Sequence, residues 1–305
     1  MQSTFWKQGS WKLWAAAVLS AGLLELPFPL AGPLPIWRSI FAWFGLVPLL
    51  WAILSPQCID QPRPLRRGFL LGYLCGVLWY MGNCYWVRDT MLRYGDMPPF
   101  APSLLLVGYS LVLGTYFGLF GLGVVLVRRA TGSTRLALVF APFLWAALEL
   151  AAARITSVPW DQLGYSQVDN PFVNQLAPWT GVYGISFLIV VVNALIAAGI
   201  VLERSVYKRR YGIGGVVLAL AYSANIFLDP PRPVATATAV LIQPNLDVAA
   251  ENLWSRPGEW DQHIAEFKRL AGEQCKIYIA GIPQSGAPQG EIICPSYATH
   301  PDLVV

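Results

Sequence analysis

The 305 residues are 55% hydrophobic and only 12% charged, and their mean hydropathy is +0.49. This balance excludes an ordinary soluble domain and marks an integral membrane protein. The net charge of +4 lies on short loops between apolar runs, where it sets topology and does not build a nucleic-acid surface.

A bilayer crossing takes about 20 mostly apolar helical residues. Seven segments come near this length: 13–26, 39–54, 69–87, 103–127, 136–153, 181–202 and 211–228. The first contains Glu25 and the fifth Glu149; the others carry no charge. Lys7 and Lys12 precede the first segment as they would in a signal peptide. Residues 27–35, however, lack a small-x-small cleavage site, so the segment reads as a retained helix. Gly68, Gly72 and Gly76, and again Gly114 and Gly118, recur every four residues and predict close helix contact. Cys75 and Cys84 fall in an apolar run and read as small buried side chains.

Alternate loops differ in charge. Lys7 and Lys12, then Arg63, Arg66 and Arg67, then Arg128, Arg129 and Arg135, then Arg204, Lys208, Arg209 and Arg210 fall on one side. The opposite loops hold Arg38, Arg88, Arg93 and Arg154, offset by Asp89, Asp96, Asp161 and Asp169. The expectation is a cytoplasmic amino terminus and a periplasmic location for everything after about residue 229.

Residues 229–233 form a proline-rich linker, and a soluble segment begins at 234. Residues 234–242 are rich in β-branched side chains and read as a strand. Trp260, Ile264, Phe267 and Leu270 recur at helical spacing with charges between them, and 276–282 is a second strand candidate. A Gly/Pro loop follows, and Asp302, Leu303, Val304 and Val305 read as another strand just begun. Strand, helix, strand predicts an α/β layer, and about 70 residues are too few to complete one. The expectation is therefore an amino-terminal fragment of a longer protein.

Three stretches resemble one family, the bacterial apolipoprotein N-acyltransferases. They are Arg67-Gly68-Phe69 through Gly82-Asn83 and Tyr85-Trp86-Val87; Glu149 with Pro159-Trp160, 163–167, Leu176-Ala177-Pro178 and 181–184; and 240–245. The resemblance implies a mostly α polytopic seven-helix bundle (1–228), the linker, and the truncated start of a periplasmic α/β nitrilase-like domain (234–305) in the bacterial inner membrane. It also implies two half reactions. A cysteine thiolate, served by a glutamate base and a lysine, takes a fatty acyl chain from a phospholipid and passes it to the amino terminus of a diacylglyceryl-cysteine lipoprotein.

Those three catalytic groups are matched by nothing in this chain, including Cys275 and Cys294, so the chain alone is expected to be inactive. No metal, cofactor or nucleic acid is expected, and oligomeric state is left open. Substrate-binding candidates are Trp160 and Tyr165, in the outward loop 156–180, and Glu149 near the outer end of its helix. The competing role for the two aromatics is interfacial anchoring, and for Glu149 a tie to a neighbouring helix. Glu25 and Asn83 read as structural and Asn193 as an interhelical hydrogen-bond partner. The family often keeps an arginine three residues after the glutamate, where Ala152 stands here and the nearest is Arg154. Rival readings are a polytopic small-solute transporter and a membrane-tethered nitrilase-like amidase.

Overall fold

A computed structural model describes residues 10–28, 36–95, 97–98, 100–159 and 161–202, together with 239–240, 258, 261–262, 264–270 and 303–304. The chain divides into two compact units, Met1–Pro231 and Arg232–Val305. In the first unit, α1 (Ser10–Glu25) leads to a 3₁₀ helix η1 (Ile36–Trp43), α2 (Val47–Leu54), the single turn α3 (Pro56–Ile59), α4 (Pro64–Asn83) and α5 (Tyr85–Tyr94). Two long helices follow, α6 (Phe100–Thr131) and α7 (Thr134–Ile155). Then come the 3₁₀ turn η2 (Leu163–Gln167), the short α8 (Pro171–Asn174) and α9 (Ala177–Val201).

Four described segments are long and apolar enough to cross a membrane: Trp37–Leu54, Phe100–Thr131, Thr134–Ile155 and Ala177–Val201. Two further expected spans form helices that fall short for different reasons. α1 has only 16 residues, about 24 Å at 1.5 Å per residue, against a hydrocarbon core of about 30 Å. α4 is 20 residues long, but two arginines occupy its first turn and Gly and Tyr recur along the rest. The expected span at 211–228, the linker at 229–233 and the strand candidate at 276–282 lie outside the described residues.

Helix α4 packs most extensively on α6, and its glycines are the reason. A Cβ at Gly72 would overlap the Phe117 carbonyl oxygen, and one at Gly121 would overlap the Gly68 carbonyl, so the two backbones approach closely. Aromatic rings fill the space beside this seam. Trp79, 2% exposed, lies 5.2 Å from Phe117, and Phe117 lies 4.9 Å from Trp145 in edge-to-face contact. The Trp79 indole N–H, which has no water to turn to, donates to the Leu24 carbonyl at 3.2 Å.

Two expected spans are not continuous helices. The segment 39–54 breaks at residues 44–46 between η1 and α2, where Pro48 removes one amide donor in the first turn of α2. The segment 69–87 ends its helix at Asn83 and restarts at Tyr85. Helix α9 is also kinked, at Gly181, whose φ of 63° suits only a residue without a side chain.

In the second unit, β1 (Ala239–Val240) pairs in parallel with β2 (Leu303–Val304), with Ala239 opposite Leu303. Residues 261–262 and 264–270 are helical, and within them Arg269 Nη2 meets Glu266 Oε1 at 2.6 Å.

Candidate functional site

The polar side chains of the bundle converge where α4 ends and the segment after α7 folds back. Capping by Ser133, whose hydroxyl accepts from the Leu136 amide at 3.3 Å, starts α7. Some four turns on, Glu149 stands one turn past Trp145. Its Oε1 accepts two hydrogen bonds, from the Trp145 indole at 2.8 Å and from the backbone amide of Leu163 at 2.7 Å. A carboxylate aimed at a backbone N–H of another segment is a strong, charge-assisted tie.

Three more ties hold the same returning segment. The Gly164 amide donates to Ser186 Oγ on α9 at 2.8 Å, and a Cβ at Gly164 would overlap the Val182 carbonyl, so glycine is required there. Asp161 Oδ1 accepts from Asn83 Nδ2 at 3.0 Å and its Oδ2 from Cys84 Sγ at 3.1 Å. Gln167, fully buried, donates through Nε2 to the Ser39 carbonyl at 3.0 Å and accepts through Oε1 from the Trp43 indole at 3.3 Å. Residues 161–167 are thus stapled to α4, α7, α9 and η1. Burial pushes the Asp161 carboxyl above its ordinary range, with the Cys84 hydrogen bond opposing.

Under this segment lies a pocket walled by Trp79, Tyr80, Tyr116, Phe117, Phe120 and Trp145, with Glu149, Asp161 and Gln162 as its polar members. Its cavity volume is about 30 Å³, room for about two water molecules. The Ser186 hydroxyl stands beside the Glu149 carboxylate, yet Glu149 Oε2 and Gln162 Oε1 meet no donor in good geometry among the described residues. Among those residues no basic side chain lines the pocket, and no group of three His, Cys, Asp or Glu side chains is placed to hold a metal. Cys58, Cys75 and Cys84 are buried free thiols. Burial raises the Cys58 thiol to about 11 against the pull of Arg67, which leaves it a poor nucleophile.

The three residues singled out in the sequence fare differently. Glu149 is brought beneath the returning segment and is tied to Trp145 and Leu163. Tyr165 is 42% exposed on η2 and does not line the pocket. Trp160 lies outside the described residues. Sequence reasoning missed Asp161, Ser186 and Gln167 as polar anchors. The signal for Gln167 was its place in the 163–167 stretch, an uncharged amide with no reason to face lipid.

The family model for the apolipoprotein N-acyltransferase N-terminal domain matches residues 10–195, more than half of the chain. The chain belongs to this family. Proteins named apolipoprotein N-acyltransferase from three bacteria are similar to it along most of its length. That from Geobacter metallireducens is 32% identical over 283 residues, covering 89% of this chain and 51% of its own. That from Vibrio parahaemolyticus is 30% identical over 86% of this chain and 51% of its own, and that from Photobacterium profundum 25% identical over 93% and 53%. The chain therefore spans about half the length of the curated relatives it matches. The described stretch 161–167 lies within the residues that match the family's N-terminal domain.

Proposed function

We propose that this chain is the membrane-embedded part of an apolipoprotein N-acyltransferase of the bacterial inner membrane. A seven-helix region, 1–228, is joined by the linker 229–233 to the start of a periplasmic nitrilase-like domain, 234–305, and the amino terminus is cytoplasmic. The reaction is transfer of a fatty acyl chain from a phospholipid, through a cysteine thioester, to the α-amine of a diacylated lipoprotein. Both substrates keep their acyl chains in the bilayer, so a helical bundle beside the reacting groups confines them to one layer.

The observation that carries this reading is the family match over residues 10–195. The segment 161–167, held by α4, α7, α9 and η1, supports a site at that end of the bundle. Trp160 and Tyr165 are the residues that meet the phospholipid chain or headgroup, and Glu149 shapes their segment from beneath and meets polar substrate atoms. The acyl chain runs along Tyr165, and the pocket of about 30 Å³ beneath the segment takes small polar groups.

The test is photo-crosslinking of the chain in lipid nanodiscs with a phospholipid that carries a photoactivatable acyl chain. Adducts concentrated in 156–180 support the reading; adducts confined to other helices defeat the site assignment. Because no residue of the chain matches the cysteine, lysine or glutamate of the reaction, the purified chain is expected to leave a diacylated peptide unacylated. Acylation of that peptide by the purified chain would overturn this part.

A further inference from the structure

The break at residues 44–46 lies inside an otherwise membrane-crossing stretch, Trp37–Leu54. Backbone groups released from a helix at that depth need partners, because lipid supplies none. Two side chains supply them. Asn193 on α9 accepts from the Leu46 amide at 2.8 Å and donates to the Ala42 carbonyl at 2.8 Å, so one amide spans the break. Ser20 on α1 donates to the Gly45 carbonyl at 2.7 Å and accepts from the Leu49 amide at 2.9 Å. Both residues are fully buried. η1 therefore leaves α2 in a direction dictated by α1 and α9.

η1 is also the element that holds Gln167. Its Ser39 carbonyl and Trp43 indole engage the two ends of the same buried amide, and Asn170 Nδ2 adds a third bond at 3.1 Å. A side chain bonded at both its donor and its acceptor ends fixes its own backbone, because moving the segment breaks both bonds together. Asn193 and Ser20 set η1, η1 sets Gln167, and Gln167 sets the segment that presents Tyr165 and places the Leu163 amide on Glu149.

We infer that the helix break is a positioning device for the 161–167 segment, with Gln167 acting directly and Asn193 and Ser20 acting at a distance as positioning residues. The value of this device for acyl transfer rests on the reading that Tyr165 lies on the phospholipid's path. A straight helix across 36–54 would satisfy its own backbone and need neither Asn193 nor Ser20, so the polar bridging has a purpose that packing alone does not supply.

Amide hydrogen exchange on the full 305-residue chain in nanodiscs tests the inference, read peptide by peptide. Gln167→Leu is expected to speed exchange at 163–164 at least tenfold. Asn193→Leu, at a residue whose hydrogen bonds go to Leu46, Ala42 and Ile189 and not to that segment, is expected to speed it there as well, and Ser20→Ala by a smaller factor, with α4 and α6 unchanged. If Asn193→Leu fails to fold, Ser20→Ala decides. Faster exchange confined to 36–54, or spread over the whole bundle, would overturn the inference.

The photoactivatable phospholipid separates this idea from the site assignment. If the three variants loosen 161–167 and wild-type chain yields no adduct in 156–180, the positioning stands and the lipid path through Tyr165 falls. If adducts form there and 163–164 keeps its protection in Ser20→Ala and Asn193→Leu, the path stands and the positioning falls.

Discussion

At the scale of single residues, Glu149 and Asp161 are two carboxylates doing one structural task, each accepting hydrogen bonds that hold residues 161–167. Glu149→Ala removes the acceptor of two donors at once, the Trp145 indole and the Leu163 amide. Leaving a buried donor unpaired costs roughly 1–3 kcal/mol, so the variant is expected to lower the melting temperature and free the Leu163 amide to exchange. Glu149→Gln keeps a carbonyl oxygen for both donors, and less than half of that loss is expected in the same melting experiment.

Asp161 brings a pH dependence. Its carboxyl is raised by burial, so the folded state holds its proton at pH values where the unfolded chain, titrating near its ordinary value of 3.8, has lost it. The contribution is whole below the unfolded value and declines as pH rises through the higher folded one. Melting temperatures of the wild type are thus expected to fall as pH rises above about 4, and Asp161→Asn is expected to flatten that slope. A steeper slope in the variant would show that another group carries the effect.

At the scale of elements, the α4–α6 seam shows what spacing in a sequence reveals. Glycines four apart predicted a close helix contact, and Gly68, Gly72, Gly114, Gly118 and Gly121 each leave no room for a Cβ against the facing helix. Overpacking a tight seam costs roughly 1–3 kcal/mol. Gly72→Leu is expected to destabilise the bundle by at least this much in a thermal melt, whereas Gly108→Leu, where nothing lies within 4 Å, is expected to be silent. Equal effects at both sites would remove the seam as the cause.

Other elements were not legible. Residues 39–54 show an uninterrupted uncharged run, and nothing local to it reveals that the helix is broken at 44–46. The partners that make the break tolerable sit 147 residues away at Asn193 and 29 away at Ser20. Asn193 was legible as a hydrogen-bond partner between helices, but its target, the backbone of a broken helix, was not. Asn83 read as structural, and its bond to Asp161 agrees with that.

At the scale of the whole molecule, topology is the expectation most open to direct test. If the amino terminus is cytoplasmic, single cysteines placed at residue 165 and after residue 229 are expected to react with a membrane-impermeant maleimide from the periplasm. A cysteine between Arg128 and Arg135 is expected to react only after the membrane is opened. The reverse pattern would invert the orientation drawn from the Lys and Arg loops and would put the 161–167 segment on the wrong side for a periplasmic partner.

Membrane character, the helical class and the family were all readable from the chain alone. They depend on properties that add along a sequence: apolar length, charge between spans, and residues at fixed short spacing. The tie between Glu149 and Leu163, the capture of Gln167 by η1 and the bridging of the 44–46 break were decided only by the folded structure. Each is a hydrogen bond between groups far apart in the chain, and in lipid a polar group's partner is chosen by which helices happen to be neighbours.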